Sequence, residues 1–128
     1  MDCVAVGDSI AVGVGQSARC SINAKVGASS SYISDHVISK SARVAVISAG
    51  SNDPRNPRLK KNLLEIRSKI KSERVVWILP YDRTAARVVK SVAVSHGDAY
   101  IDLAAYQTRD GVHPKSYSRV ARDIGVSR

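Results

Sequence analysis

Five short runs of β-branched and small apolar residues alternate with longer amphipathic stretches along the whole sequence, and that alternation leaves few folds open. The runs cover residues 3–6, 21–26, 43–48, 75–79 and 99–103. Most are near-continuously apolar, the pattern of parallel strands covered on both faces rather than strands with one wet side. Between and after them, residues 10–19, 29–40, 57–72, 83–96 and 114–123 read as helices. The stretch 57–72 is the clearest: Pro57 suits a first helical turn, and Leu59, Leu63, Ile66 and Ile70 recur at helical spacing. Ser29 suits an N-cap, and Gly97 a stop after the fourth helix. Strand–helix alternation with right-handed crossovers predicts a three-layer α/β/α sandwich. With 128 residues, the chain is expected to form a single domain over 1–128, around a five-stranded parallel sheet in the flavodoxin-like order 2-1-3-4-5.

Sheets of this kind hold ligands beyond the carboxyl ends of their strands. Every strand end in this sequence carries polar or glycine residues. Gly7-Asp8-Ser9 follows the first strand, and Gly27 with Ser29, Ser30 and Ser31 the second. Gly50-Ser51-Asn52-Asp53 follows the third, Pro80-Tyr81-Asp82-Arg83 the fourth, and Asp110 with His113 comes after the fifth. Together they supply the parts of an acyl-transfer site. The Ser9 hydroxyl is a poor nucleophile until a base takes its proton, and the His113 imidazole is the candidate base. Asp110, three residues earlier, can hold the imidazole tautomer from within a single turn. A developing oxyanion needs preorganised donors; the backbone N–H groups of Ser9 and Gly27 and the Asn52 amide are the candidates. Asp8 and Tyr81 are candidate residues of a substrate pocket. Each segment alone is an ordinary turn or helix cap. Their conjunction on strand ends carries the reading. His36 and His96 fall inside helices with no motif nearby and are assigned no role.

Gly7-Asp8-Ser9-Ile10, Gly27, Gly50-Ser51-Asn52-Asp53 and Asp110-Gly111-Val112-His113-Pro114 resemble the four sequence blocks of the SGNH hydrolases, the GDSL esterase/lipase family. The first, third and last blocks are specific; the second rests on one glycine. The resemblance spans the chain. It implies a flavodoxin-like fold and ester hydrolysis through an acyl-serine intermediate. It implies Ser9 as nucleophile, His113 as base, Asp110 as its orienting acid, and Gly27 and Asn52 as oxyanion donors beside the Ser9 amide. It also implies that Asp8 orders the nucleophile loop. The chain is short for that family and leaves little room for lids, so a shallow site for small acyl groups is expected, such as O-acetyl groups on cell-surface or cell-wall glycans. By analogy alone, such short basic chains suit phage or bacterial accessory roles. The alternative is a glycan- or polyanion-binding module on the same fold without turnover.

Charge bears on partners. Twenty Lys and Arg against eleven Asp and Glu give +9. Arg55, Arg58, Lys60, Lys61, Arg67, Lys69, Lys71 and Arg74 face only Glu65 and Glu73, so a basic helix over 58–74 is a candidate surface for an anionic polymer. A nucleic-acid partner is disfavoured, because one Trp, five Tyr and no Phe make a poor stacking platform. Cys3 and Cys20 lack the spacing of a zinc site or a disulfide framework and read as buried, reduced thiols; no metal or cofactor is expected. No apolar run approaches the roughly 20 residues that span a bilayer. The first residues lack the features of a signal peptide, so the chain is expected to stay where it is made unless lysis or packaging into a phage particle carries it out.

Overall fold

The apolar runs become the five strands of one sheet. The structure, a computed structural model, describes residues 2–38 and 42–126. The elements follow the chain as β1 (Cys3–Gly7), α1 (Ser9–Ala18), β2 (Ser21–Ala24), α2 (Ser30–His36), β3 (Val44–Ser48), α3 (Leu59–Ser68), β4 (Arg74–Leu79), α4 (Arg83–Ser95), β5 (Ala99–Asp102), a 3-10 turn (Leu103–Ala105) and α5 (Tyr117–Ile124). The strand order is β2-β1-β3-β4-β5 with all neighbours parallel, as the alternation predicts.

Strand residues divide between two cores with period two. Val6, Ile47 and Trp77 point to the face covered by α2, α3 and α4, where Ile33, Leu63, Ile66, Val89 and Val92 meet them. Ala5, Val46 and Ile78 point to the other face, against Ile10, Val14, Val120 and Ile124 of α1 and α5. Every residue of β1 and β3 is buried, whereas β2 and β5, at the sheet edges, are partly exposed. Continuous apolar runs are therefore the mark of the central strands, which have helices on both sides. Trp77 is fully buried, and its indole N–H donates to Asp98 Oδ2 at 2.9 Å.

Side-chain caps set most helix starts. Asp8, Ser29, Asp82 and Ser116 each accept a backbone N–H in the first turn of α1, α2, α4 and α5. Three helices are shorter than their periodicity suggests. α3 begins at Leu59, because Asn56 accepts the N–H groups of both Arg58 and Leu59 and holds Pro57 in a preceding turn. It ends at Ser68, where the Lys69 and Ile70 N–H groups reach back only three residues and tighten the chain into β4. α5 begins at Tyr117, because Pro114 is held in a bridge with Thr108. α2 ends at His36 with Val37 already extended; Ser39 and Lys40, at the end of the expected 29–40 helix, lie outside the described residues.

Two expectations are corrected. The basic stretch 58–74 is not one helix but α3, a turn and the start of β4. Its Arg67 is tied bidentately to Asp98 at 2.7 and 3.0 Å, and Lys69 Nζ donates to the Ser34 carbonyl. The cysteines are buried but not reduced: Cys3 and Cys20 form a disulfide. Register explains the pairing. Val4 sits beside Ser21 in the β1–β2 ladder, so the residues just before them lie together, with Cα atoms 4.9 Å apart. Closing this loop contributes about 3 kcal/mol in the chain-entropy view.

Candidate active site

Gly7 ends β1 and Ser9 opens α1, with Asp8 alone between them. The strand-to-helix turn is this tight because Gly7 adopts φ +140°, and Asp8 N–H donates to the Ser48 carbonyl of β3 at 3.1 Å. Ser9 is thereby held at the carboxyl edge of the sheet. Its Oγ lies 2.7 Å from Nε2 of His113, across 104 residues of sequence.

His113 is oriented from behind. Its Nδ1 lies 2.7 Å from Asp110 Oδ2, while Asp110 Oδ1 accepts the backbone N–H groups of Val112 and His113 at 2.9 and 2.8 Å. Hydrogen bonding to the His113 side chain, then to those N–H groups, holds the Asp110 carboxyl well below its ordinary range. An ionised carboxylate only accepts hydrogen bonds, so the shared proton belongs to Nδ1. Nε2 then presents its lone pair to Ser9, and the serine hydroxyl donates to it. Thr108 secures the turn: its Oγ1 donates to the His113 carbonyl at 2.6 Å and accepts the Gly111 N–H at 3.0 Å. Gly111 takes φ +76° there.

The other candidates are placed as follows. Asn52 is exposed on the loop after β3, and its Nδ2 donates one hydrogen to the Ala28 carbonyl at 2.9 Å, which leaves the second without a partner among the described residues. Gly27 is exposed after β2 with φ +81°, and its N–H has no hydrogen-bond partner among the described residues, whereas the Ala28 N–H is bonded to Lys25. The Ser9 N–H stands at the first position of α1, where no intrahelical acceptor exists. Tyr81 borders an open cleft of about 340 Å³ with Ser51, Pro54, Pro80 and Val112. Its hydroxyl donates to the Tyr106 carbonyl at 3.1 Å, on the next loop. The cleft lies between the loop of Asn52 and the turn of His113.

Asp8 is the exception. It reads from the sequence both as a pocket candidate and as the group that orders the nucleophile loop; it is fully buried and caps α1, with Oδ1 on the Ile10 N–H at 3.1 Å, a place that fits the second role and not the first. Substrate does not reach it. Its Oδ2 is buried without a hydrogen-bond partner among the described residues. Burial pushes the carboxyl up to about 6, only partly offset by Ser48 and by the backbone N–H groups of the α1 N-terminus. The native state therefore binds this proton more tightly than the unfolded chain. For this group alone, stability falls as pH rises from about 4 to about 6, and the buried charge then costs roughly 3 kcal/mol. Asp8→Asn keeps an acceptor for the cap and removes the charge. Relative to wild type, the variant is expected to gain about 3 kcal/mol between about pH 4 and about pH 7.5 in urea unfolding. A difference that does not change with pH would show that the carboxylate is not ionising in place.

Two neighbours carry no motif of their own. Thr108 is one. Tyr117 is the other: it opens α5, and its hydroxyl is pushed up to about 12 by burial and then by the charges of Asp8 and Asp110. The signal for Tyr117 is Gly13, a glycine inside α1 whose added Cβ would meet the Tyr117 ring. His36 and His96 bond only locally, their Nδ1 atoms on the Tyr32 and Val92 carbonyls.

No family model and no curated protein matches the sequence. Among solved structures, the fold is similar to that of a protein from Desulfitobacterium hafniense DCB-2 provisionally assigned as a lipolytic member of the G-D-S-L family, with a TM-score of 0.64 over 94% of this chain and 95% of that one, at 14% identity. The similarity is one of fold.

Proposed function

We propose that this protein is a serine ester hydrolase that works through an acyl-serine intermediate on small acyl esters, such as O-acetyl groups of cell-surface or cell-wall glycans. The observation that carries the reading is the 2.7 Å contact between Ser9 Oγ and His113 Nε2, with Asp110 behind the ring at the same distance. His113 takes the hydroxyl proton as Ser9 Oγ bonds to the ester carbonyl carbon, and the carbonyl electrons move onto oxygen. The Ser9 and Gly27 N–H groups and the second Asn52 side-chain N–H are the donors for that oxyanion. Collapse expels the alcohol, which takes the proton from His113 and leaves acyl-Ser9. Water, deprotonated by His113, then releases the acid and restores the serine. Asp110 keeps its charge throughout and stabilises the imidazolium. A G-D-S-L-type neighbour assigned as lipolytic supports hydrolase chemistry on this fold.

The openness of the site supports the small-acyl part of the reading. The His113 and Asp110 side chains remain 40% and 54% exposed. Of the residues that line the cleft, only Pro54, Pro80, Tyr81 and Val112 present apolar side chains, so little apolar surface is available to cover a long chain, while a bulky alcohol can extend into solvent. Arg58, Lys60, Lys61 and Lys71, on α3 and its flanks, are exposed with no side-chain partner among the described residues, and they support attraction to an anionic polymer carrying the ester. The test is a panel of p-nitrophenyl esters from acetyl to octanoyl, followed by O-acetylated glycans. kcat/KM is expected not to rise from acetyl to octanoyl, since a chain left in water gains no burial free energy. A rising series would exclude the small-acyl assignment.

A further inference from the structure

The two loops that bring Gly27 and Asn52 to the sheet edge are joined by a hydrogen-bonded cluster centred on Asp53. Its Oδ1 accepts the Ser30 backbone N–H at 3.0 Å. Its Oδ2 accepts the Ser30 hydroxyl at 2.6 Å and the Asn56 amide at 3.0 Å. Ser30 Oγ in turn accepts from Asn62 Nδ2 at 2.9 Å. Ser30 is fully buried and Asn62 nearly so. Asp53 thus clamps the loop after β3 onto the first turn of α2, three residues beyond Gly27. The neighbouring Asn52 makes the other polar link between these loops among the described residues, to Ala28. Four donors converge on one acceptor-only group, or on the hydroxyl bonded to it, and this leaves the cluster a single consistent pattern.

We infer that Asp53 is a positioning residue for the oxyanion donors, fixing the Asn52 amide and the Gly27 N–H relative to each other; this rests on the esterase reading above. An oxyanion donor acts only from about 2.7–3.1 Å, and a misplacement of about 1 Å costs on the order of 100-fold. Neither donor is anchored by its own burial, since both Gly27 and Asn52 are exposed. Their separation is set by what lies beneath them, and Asp53 is the group that bonds to both loops there.

The experiment is a double-mutant cycle on p-nitrophenyl acetate with Asp53→Ala, Asn52→Ala and the pair, together with 15N NMR of each protein. Asp53→Ala is expected to lower kcat by about 10- to 100-fold with KM within about threefold, and to leave the apparent pKa of the kcat/KM profile in place, because His113 is untouched. In the Asn52→Ala background its effect should be smaller than in the wild type, since one of the two donors it positions is already gone. Effects that multiply in full would overturn the inference. Asp53→Asn, which keeps one acceptor but turns an amide donor towards Asn56, serves if the alanine variant does not fold. The NMR arm does not need turnover: the Asn52 side-chain amide and the Gly27 amide should shift and exchange faster, while Gly13 and Gly111 stay unchanged. Unaltered Asn52 and Gly27 signals would overturn the inference. Absence of Ser9-dependent turnover in the wild type would instead remove the esterase reading, and the NMR result would still decide whether Asp53 holds the two loops.

Discussion

Ser9→Ala is expected to lower the hydrolysis of p-nitrophenyl acetate by roughly 10,000-fold or more while leaving the protein folded. The effect is large because the proposed chemistry passes through a covalent bond to Ser9 Oγ, and among the described residues no other hydroxyl bonds to His113 Nε2. The stability change is small for a local reason. The one side-chain hydrogen bond of Ser9 is to the half-exposed His113, and alanine is a good residue in a first helical turn. Labelling by a fluorophosphonate should disappear in the same variant. Fluorophosphonate labelling also separates hydrolysis from binding: a glycan-binding module without turnover would keep its ligand affinity and never be labelled. Equal rates for Ser9→Ala and wild type would end the esterase reading.

Gly7→Ala is expected to destabilise the fold by at least about 3 kcal/mol, or to fold with Ser9 displaced and activity lost. Two causes add. Gly7 sits at φ +140°, a conformation that side chains rarely adopt. A Cβ there would also overlap the Ser48 carbonyl oxygen, which is backbone and cannot swing aside. Ser48 is the ladder partner of Gly7, and its carbonyl holds the Asp8 N–H, so any retreat moves the turn that carries Ser9. Gly27→Ala is the control. It too has positive φ, but nothing lies within 4 Å of the added carbon, so it should cost only about 1–2 kcal/mol. The measurement is urea unfolding of the three proteins beside their turnover. Wild-type stability and rate in Gly7→Ala would show that β1 and β3 are not packed as closely as described.

Much of the fold is written into local chemistry. The continuous apolar runs at Val4–Val6 and Val75–Leu79 require cover on both faces, and helices of the right length flank them. Capping residues are equally local, as Asp82 and Ser116 show. Helix ends are less so. The spacing of Leu59, Leu63, Ile66 and Ile70 continues past Ser68, but the last of these is buried from a turn rather than from helix. Burial alone sets that periodicity, and backbone hydrogen bonding decides where it stops.

Charge and thiols show the same division. The eight cations near α3 count alike in the sequence, yet Arg67 is drawn inward by Asp98, a residue thirty-one positions away, to which Trp77 also donates. The disulfide depends on strand register, which no spacing of two cysteines reveals. Asp8 reads like a site residue because it adjoins Ser9, but α1 turns the two side chains apart, one into the core and one to the rim.

From sequence alone came the layer order, the strand order and the identities of Ser9, Asn52, Asp110 and His113 as the groups of interest. These follow from the alternation of strand and helix periodicity and from the conjunction of residue chemistry at successive strand ends. Tertiary structure alone decided that Ser9 and His113 touch, that Asp8 is sealed beneath α1, and that Asp53 ties together the loops of Gly27 and Asn52. Each is a contact between segments far apart in the chain or an inward turn of a polar side chain, and such placements are set by how the sheet edge closes rather than by any stretch of residues.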